Sequence, residues 1–169
     1  MTQHVGNAAW TQLVQTLGEL AKTYGALNEL SRKKHQALII IDLKSVEAMN
    51  AEEAKLTQSI QKLEETRQKT LIHLAVENRT ITKDTRMTEL VKAAPTPELR
   101  TLLEKLHRAL DAATKEAIEL RENNRLLIEG ALSAVTYHLN RLGGTHVENA
   151  YGSAGQEVVS HAKRFEFDA

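Results

Sequence analysis

From Trp10 onward apolar residues recur at steps of three and four, and proline occurs only at positions 95 and 97. A three-to-four step keeps side chains on one stripe of an α-helix, and a proline-free stretch lets the helix continue without losing a hydrogen bond. Long helices on either side of residues 95–97 are therefore the predicted architecture. The first stripe comprises Leu13, Leu17, Leu20, Tyr24, Leu27, Leu30, Leu38 and Ile41. It weakens at Ser31 and Lys34, the pattern of a bundle face more than of a strict zipper. Gly18 and Gly25 each lower helix propensity by about 1 kcal/mol relative to alanine, and their lack of bulk is expected to admit a close partner helix. The apolar run over residues 37–41 has the composition of a buried strand, but no second strand candidate exists to pair with it. It reads as the end of a first helix over about 8–41.

A second stripe follows at Val46, Met49, Leu56, Ile60, Leu63, Leu71 and Leu74. Asn50 with Glu53 three residues later has capping-box spacing, so a helix over about 50–78 is predicted, with 43–49 as a helical connector. Residues 78–97 are the least organised stretch; Met87, Leu90 and Val91 suggest a minor helix over about 83–93, ended by Pro95. Thr96, Pro97 and Glu98 then supply an N-cap, a first helical residue and a first-turn acid. No breaker follows until Gly143 and Gly144, which predicts a helix over about 97–142, a rod of roughly 70 Å at 1.5 Å per residue.

This last helix changes face along its length. Leu99, Leu103, Leu106, Leu110, Ala113, Ala117, Leu120, Asn124, Leu127, Ala131 and Ala134 make one seam. A second stripe begins at Ile128 and continues through Leu132, Val135, Leu139 and Leu142. Two apolar faces near one helix end are more than a single core needs. Either both are buried between the first two helices, or the second stripe receives a partner. The predicted fold is all-α: an elongated antiparallel helical bundle or coiled coil of three main helices plus a minor one over residues 1–144. A polar, glycine-containing C-terminal segment over 145–169 is expected to be flexible.

Twenty-two Lys and Arg balance twenty-two Asp and Glu, which removes the electrostatic case for nucleic acid or an anionic membrane as the main partner. The basic run Arg32, Lys33, Lys34, His35 reads as a solvated helix face. Cysteine is absent, so disulfides, thiolate metal sites and a thiol nucleophile are excluded. The first residues lack the positive start and apolar core of a signal peptide, and no apolar run approaches the ~20 residues that cross a bilayer. A cytoplasmic protein without direct membrane insertion is expected.

Catalytic chemistry finds no footing. Glu104 and His107 form a Glu-x-x-His, but a carboxylate-bridged metal pair needs two such elements and further inward carboxylates, and no second copy exists. His4, His35, His73, His138, His146 and His161 do not cluster at ligand spacing, and His138 is expected to be partly buried on the seam. Gly143 and Gly144 follow a helix instead of opening one, so they are no phosphate loop. Gly152, Ser153, Ala154 and Gly155 lack the strand–turn–helix setting of a nucleophile elbow. The expected protein is no enzyme and needs no cofactor or metal; it binds other proteins through apolar helix faces.

Three stretches resemble the FlgN family of flagellar export chaperones. The first runs from Ala37 and Leu38 through Asp42, Leu43, Val46, Met49, Leu56, Ile60, Leu63, Glu64 and Arg67 and is similar to the family's passage between its first two helices. The second, Asn124, Arg125, Leu126, Leu127 and Ile128 with Leu132, Val135, Leu139 and Leu142, resembles its last-helix face. The third, residues 150–156, resembles its Tyr-Gly-x-x-Gly segment, and the stretch beyond Glu157, with Phe165 and Phe167, extends past a short family member. The resemblance implies a cytoplasmic chaperone that holds the terminal helical segment of hook-associated (hook–filament junction) proteins and delivers them to a membrane-embedded type III export gate. It makes Asn124, Leu127, Ile128, Leu132, Val135, Leu139 and Leu142 candidate substrate-protein contacts, and Tyr151 and Gly152 candidate export-gate contacts. Tyr151 has a second reading, as a lid folded back over the 128–142 stripe. A non-enzymatic coiled-coil adaptor or secretion regulator is the competing function.

Overall fold

The computed structural model describes residues 2–143, and they form four helices: α1 (Thr2–Ile39), α2 (Leu43–Glu77), α3 (Met87–Ala93) and α4 (Pro97–Gly143). Among the described residues there is no strand, and the all-helical reading stands. The chain divides into two compact units, Met1–Glu122 and Asn123–Ala169, and α4 contributes to both.

In the first unit α1 and α2 pack along each other in opposite senses. Near their shared turn Lys34 Nζ meets Glu53 Oε2 at 2.6 Å, while Leu13, Leu17 and Leu20 join Leu71 and Leu74 in the core at the far end. Ile81, Leu90 and Val91 complete that core together with Leu103 of α4. Leu13, Leu71, Leu90 and Leu103 are wholly buried, each contributing roughly 1.5–3 kcal/mol by removing apolar surface from water.

Polar residues of α1 reach across to α4. Asn28 is 2% exposed, and its Nδ2 donates to the Ala113 carbonyl at 2.9 Å and to Glu116 Oε2 at 3.2 Å. Arg32 pairs with the same glutamate one turn further along. Asn28 and Arg32, beside the stripe positions Leu27 and Ser31, thus tie α1 to α4 through polar bonds.

The boundaries at the α1–α2 junction differ from the periodic reading, and α1 also starts earlier than expected, at Thr2 and not 8. α1 ends at Ile39, not 41, and α2 begins at Leu43, not near 50. The turn between them is a Schellman arrangement: Asp42 N–H donates to the Ala37 carbonyl at 2.9 Å and Ile41 N–H to the Leu38 carbonyl at 3.2 Å. This geometry puts Ile41 at φ 58°, a left-handed conformation that glycine or asparagine usually supplies. Asp42 then caps α2, accepting the Ser45 N–H at 3.2 Å and the Ser45 hydroxyl at 2.5 Å. With that cap in place nothing breaks the helix through 43–49, and propagation is favoured over a second nucleation at Asn50.

Gly18 and Gly25 do not mark a close helix approach, because a Cβ at either position would meet nothing within 4 Å. The 78–97 stretch is more ordered than its polarity suggests. Asn78 Oδ1 accepts the Thr80 N–H and hydroxyl at 3.0 and 2.6 Å, and Thr85 Oγ1 accepts the Thr82 N–H at 2.6 Å. These local bonds turn the chain so that Ile81 enters the core. α3 starts at Met87, four residues later than the 83 expected. Thr96 caps α4 as read from the sequence, its hydroxyl accepting the Leu99 N–H at 3.2 Å.

Candidate protein-binding surface

The second unit holds the end of α4, where the candidate substrate contacts lie. At 100° per residue Ile128, Leu132, Val135, Leu139 and Leu142 fall within an arc of about 80° and extend over about 21 Å of helix. The sequence makes this stripe by alternating steps of four and three with no proline between. Val135, Leu139 and Leu142 are 56%, 51% and 86% exposed, and Ile128 is 37% exposed. Leu127 and Leu132 are half-buried, and Asn124 is buried and has a partner.

Charge is sparse along the stripe. Between residues 126 and 142 only Glu129 and Arg141 are formally charged, and Glu129 pairs with Arg125 one turn before it. The polar side chains that flank it are half-buried Thr136 on one side and exposed His138 on the other. His138 is exposed, which corrects the expectation of a partly buried seam residue; its ring sits edge-on to Tyr137 with centroids 5.6 Å apart. An apolar strip bordered by uncharged polar residues has the composition of an interface core, where charges are depleted because burial would cost them their hydration. Tyr137 and Leu126, on the opposite side of the helix, are also exposed. Tyr151 and Gly152 lie outside the described residues, as does the expected flexible segment.

The first unit carries two clefts beside α3 that apolar periodicity does not reveal. One, of about 500 Å³, has Leu20, Tyr24, Met87 and Leu110 as its floor, with Lys83, Arg86 and Asp84 on its rim. Burial, and then the Glu64 carboxylate, raise the Tyr24 phenol above its ordinary pKa. The other, of about 480 Å³, is bounded by Val91, Lys92, Arg100 and Glu104. His107 lines both, so the residue singled out in the Glu-x-x-His element is a wall between two clefts. Among the described residues no group of three or more His, Asp or Glu is placed to hold a metal ion.

A third exposed apolar feature is the α1–α2 turn, where Ile39, Ile40, Ile41 and Leu43 are 54–74% exposed. No described helix is long and apolar enough to cross a membrane.

No curated protein and no solved structure matches the chain. A family model described as FlgN protein matches residues 9–158, from buried Ala9 in α1 through the whole exposed stripe. The stretches that carried the resemblance fall inside that match, and the chain belongs to the FlgN family of flagellar export chaperones.

Proposed function

We propose that this protein is a cytoplasmic chaperone that captures the terminal helical segment of flagellar hook-associated proteins and delivers them to the type III export gate. The observation that carries the reading is the exposed 128–142 stripe on a helix that the family match includes to its end. In this reading the three long helices form an elongated antiparallel bundle, and the end of α4 lays its apolar arc against an amphipathic helix of the client. Asn124, Leu127, Ile128, Leu132, Val135, Leu139 and Leu142 are the client contacts.

Fully burying a Leu, Ile or Val contributes roughly 1.5–3 kcal/mol, so the five stripe residues supply roughly 7–15 kcal/mol before costs. Association and side-chain ordering remove an estimated 4–15 kcal/mol. The remainder fits micromolar to nanomolar capture of a helix in a groove, a range suited to a chaperone that must release its client. The test is Leu132→Asp with Leu139→Asp, assayed by calorimetric titration with a hook-associated protein's C-terminal segment. Binding should disappear while the melting temperature holds. A folded double variant with normal affinity would remove the stripe from the client site.

Delivery is assigned to Tyr151 and Gly152. A tyrosine offers a large rigid ring and a hydrogen-bonding hydroxyl with few rotors to order, which suits insertion into a gate pocket. Tyr151→Ala should leave client affinity unchanged and cause clients to accumulate inside the cell. Lower client affinity with gate binding intact would make Tyr151 a lid over the stripe instead.

A further inference from the structure

The α4 stripe ends one residue before the described chain does, and the sequence that follows carries apolar residues of its own. Residues 157–169 hold both phenylalanines of the chain, Phe165 and Phe167, with Val158 and Val159 before them. The family match ends at residue 158, so the two phenylalanines stand outside what this chain shares with its family. Val135, Leu139 and Leu142 of the stripe meanwhile leave more than half of their surface open. Residues 144–157 can extend at most roughly 50 Å and the stripe is about 21 Å long, so all of it lies within reach of residues 158–167. A segment tethered this closely meets the stripe at an effective concentration in the millimolar range, without the translational cost that a free partner bears.

We propose that residues 158–167 occupy the α4 stripe as an internal placeholder that the client helix displaces; the displacement, though not the occupancy, rests on the stripe being the client site. Charge sets the direction. The stripe has Glu129 beside its first residue and Arg141 beside its last, with no formal charge between them. The segment has Glu157 before its first valine and Lys163 and Arg164 before its first phenylalanine. Laid antiparallel to α4, Glu157 meets Arg141 and the two basic residues meet Glu129, with the apolar side chains against the uncharged middle. Laid parallel, like charges meet at both ends. A second copy of α4 laid antiparallel would satisfy the same charges, and the tether decides in favour of the chain's own segment. An occupancy of about nine in ten lowers the apparent client affinity about tenfold.

Cysteine is absent from the chain, so a pair introduced into it reports a single contact. In the full chain at low concentration, Ser160→Cys with Leu139→Cys should close an intrachain disulfide about tenfold faster than Ser160→Cys with Tyr137→Cys. Leu139 and Tyr137 are both exposed and lie on opposite faces of α4, and circular dichroism verifies that the fold persists. Adding Phe165→Ala and Phe167→Ala should abolish the difference in rate. Without the cysteines, the same two alanine substitutions should tighten binding of a hook-associated protein's C-terminal segment about tenfold in calorimetric titration. Equal rates for the two pairs, a faster Tyr137 pair or a disulfide formed between chains overturns the occupancy, as does a rate difference that survives the loss of both phenylalanines. A rate difference with client affinity unmoved by the alanines overturns the displacement. Failure of the client-site reading shows separately, as normal client binding by the Leu132→Asp, Leu139→Asp variant, and the disulfide rates still decide the occupancy.

Discussion

Ile41 sits at φ 58° at the position of the α1–α2 turn that glycine usually occupies, and its side chain is 74% exposed. The left-handed conformation brings Cβ against the following carbonyl and costs an L-residue roughly 1–2 kcal/mol. So exposed a side chain returns little of that through packing. Ile41→Gly relieves the clash but frees the unfolded chain, a loss of roughly 0.5–1 kcal/mol. The expected net gain is about 0.5–1 kcal/mol. At about 2–4 °C per kcal/mol for a domain of this size, the melting temperature should rise about 1–4 °C. Far-UV circular dichroism during heating and in urea measures it, with the urea m-value unchanged because the same surface unfolds. Ile41→Ala is the control: it keeps Cβ and should gain little. A glycine variant that melts lower than the parent, or no higher than the alanine variant, would refute the strain argument. In that case the exposed isoleucine makes a stabilising contact.

Three further outcomes follow from particular residues. Gly25→Ala should stabilise by about 0.5–1 kcal/mol in a denaturant melt, since the added methyl meets nothing within 4 Å and removes a helix-weakening glycine. Asn28→Ala should destabilise by about 1–3 kcal/mol because it strips a buried clasp from α4, whereas Arg32→Ala, on a half-exposed ion pair, should cost no more than about 1 kcal/mol. The Ser45 hydroxyl, and then its N–H, lower the pKa of Asp42 below the ordinary aspartate value. The contribution of that carboxylate is therefore present above the unfolded aspartate pKa and lost as pH falls through the lower folded value. Melting temperatures of the parent and of Asp42→Asn should converge over that acidic window; a constant difference would show that Asp42 contributes nothing through its charge.

Helix content and the stripe on α4 were legible in the sequence because each is a local property. A period of three and four, a missing proline or a Thr96-Pro97 start depends on neighbours along the chain. The fate of polar residues was not legible. Ser31 and Lys34 looked like breaks in a stripe; Ser31 is buried and Lys34 is ion-paired across to α2. Asn28 became a clasp because a carbonyl 85 residues away stands opposite it. The start of α2 was misplaced because Asp42 and Asn50 are both plausible caps by composition. What decided between them was the Schellman turn, which leaves Asp42 facing the Ser45 N–H.

Exposure is the other property that periodicity cannot assign. A run of Ile128, Leu132, Val135, Leu139 and Leu142 specifies an apolar arc whether or not another helix covers it. The same ambiguity held for residues 37–41, which look like core by composition: Ala37 is buried, but Ile39, Ile40 and Ile41 emerge exposed at the end of α1 and in the turn. Conversely, the polar 78–97 stretch delivers Ile81, Leu90 and Val91 into the core through turns held by Asn78 and Thr85. Local spacing determines which residues share a helix face. Whether that face meets water or another helix depends on the three-dimensional path of segments distant in the chain, and only the folded arrangement decides it.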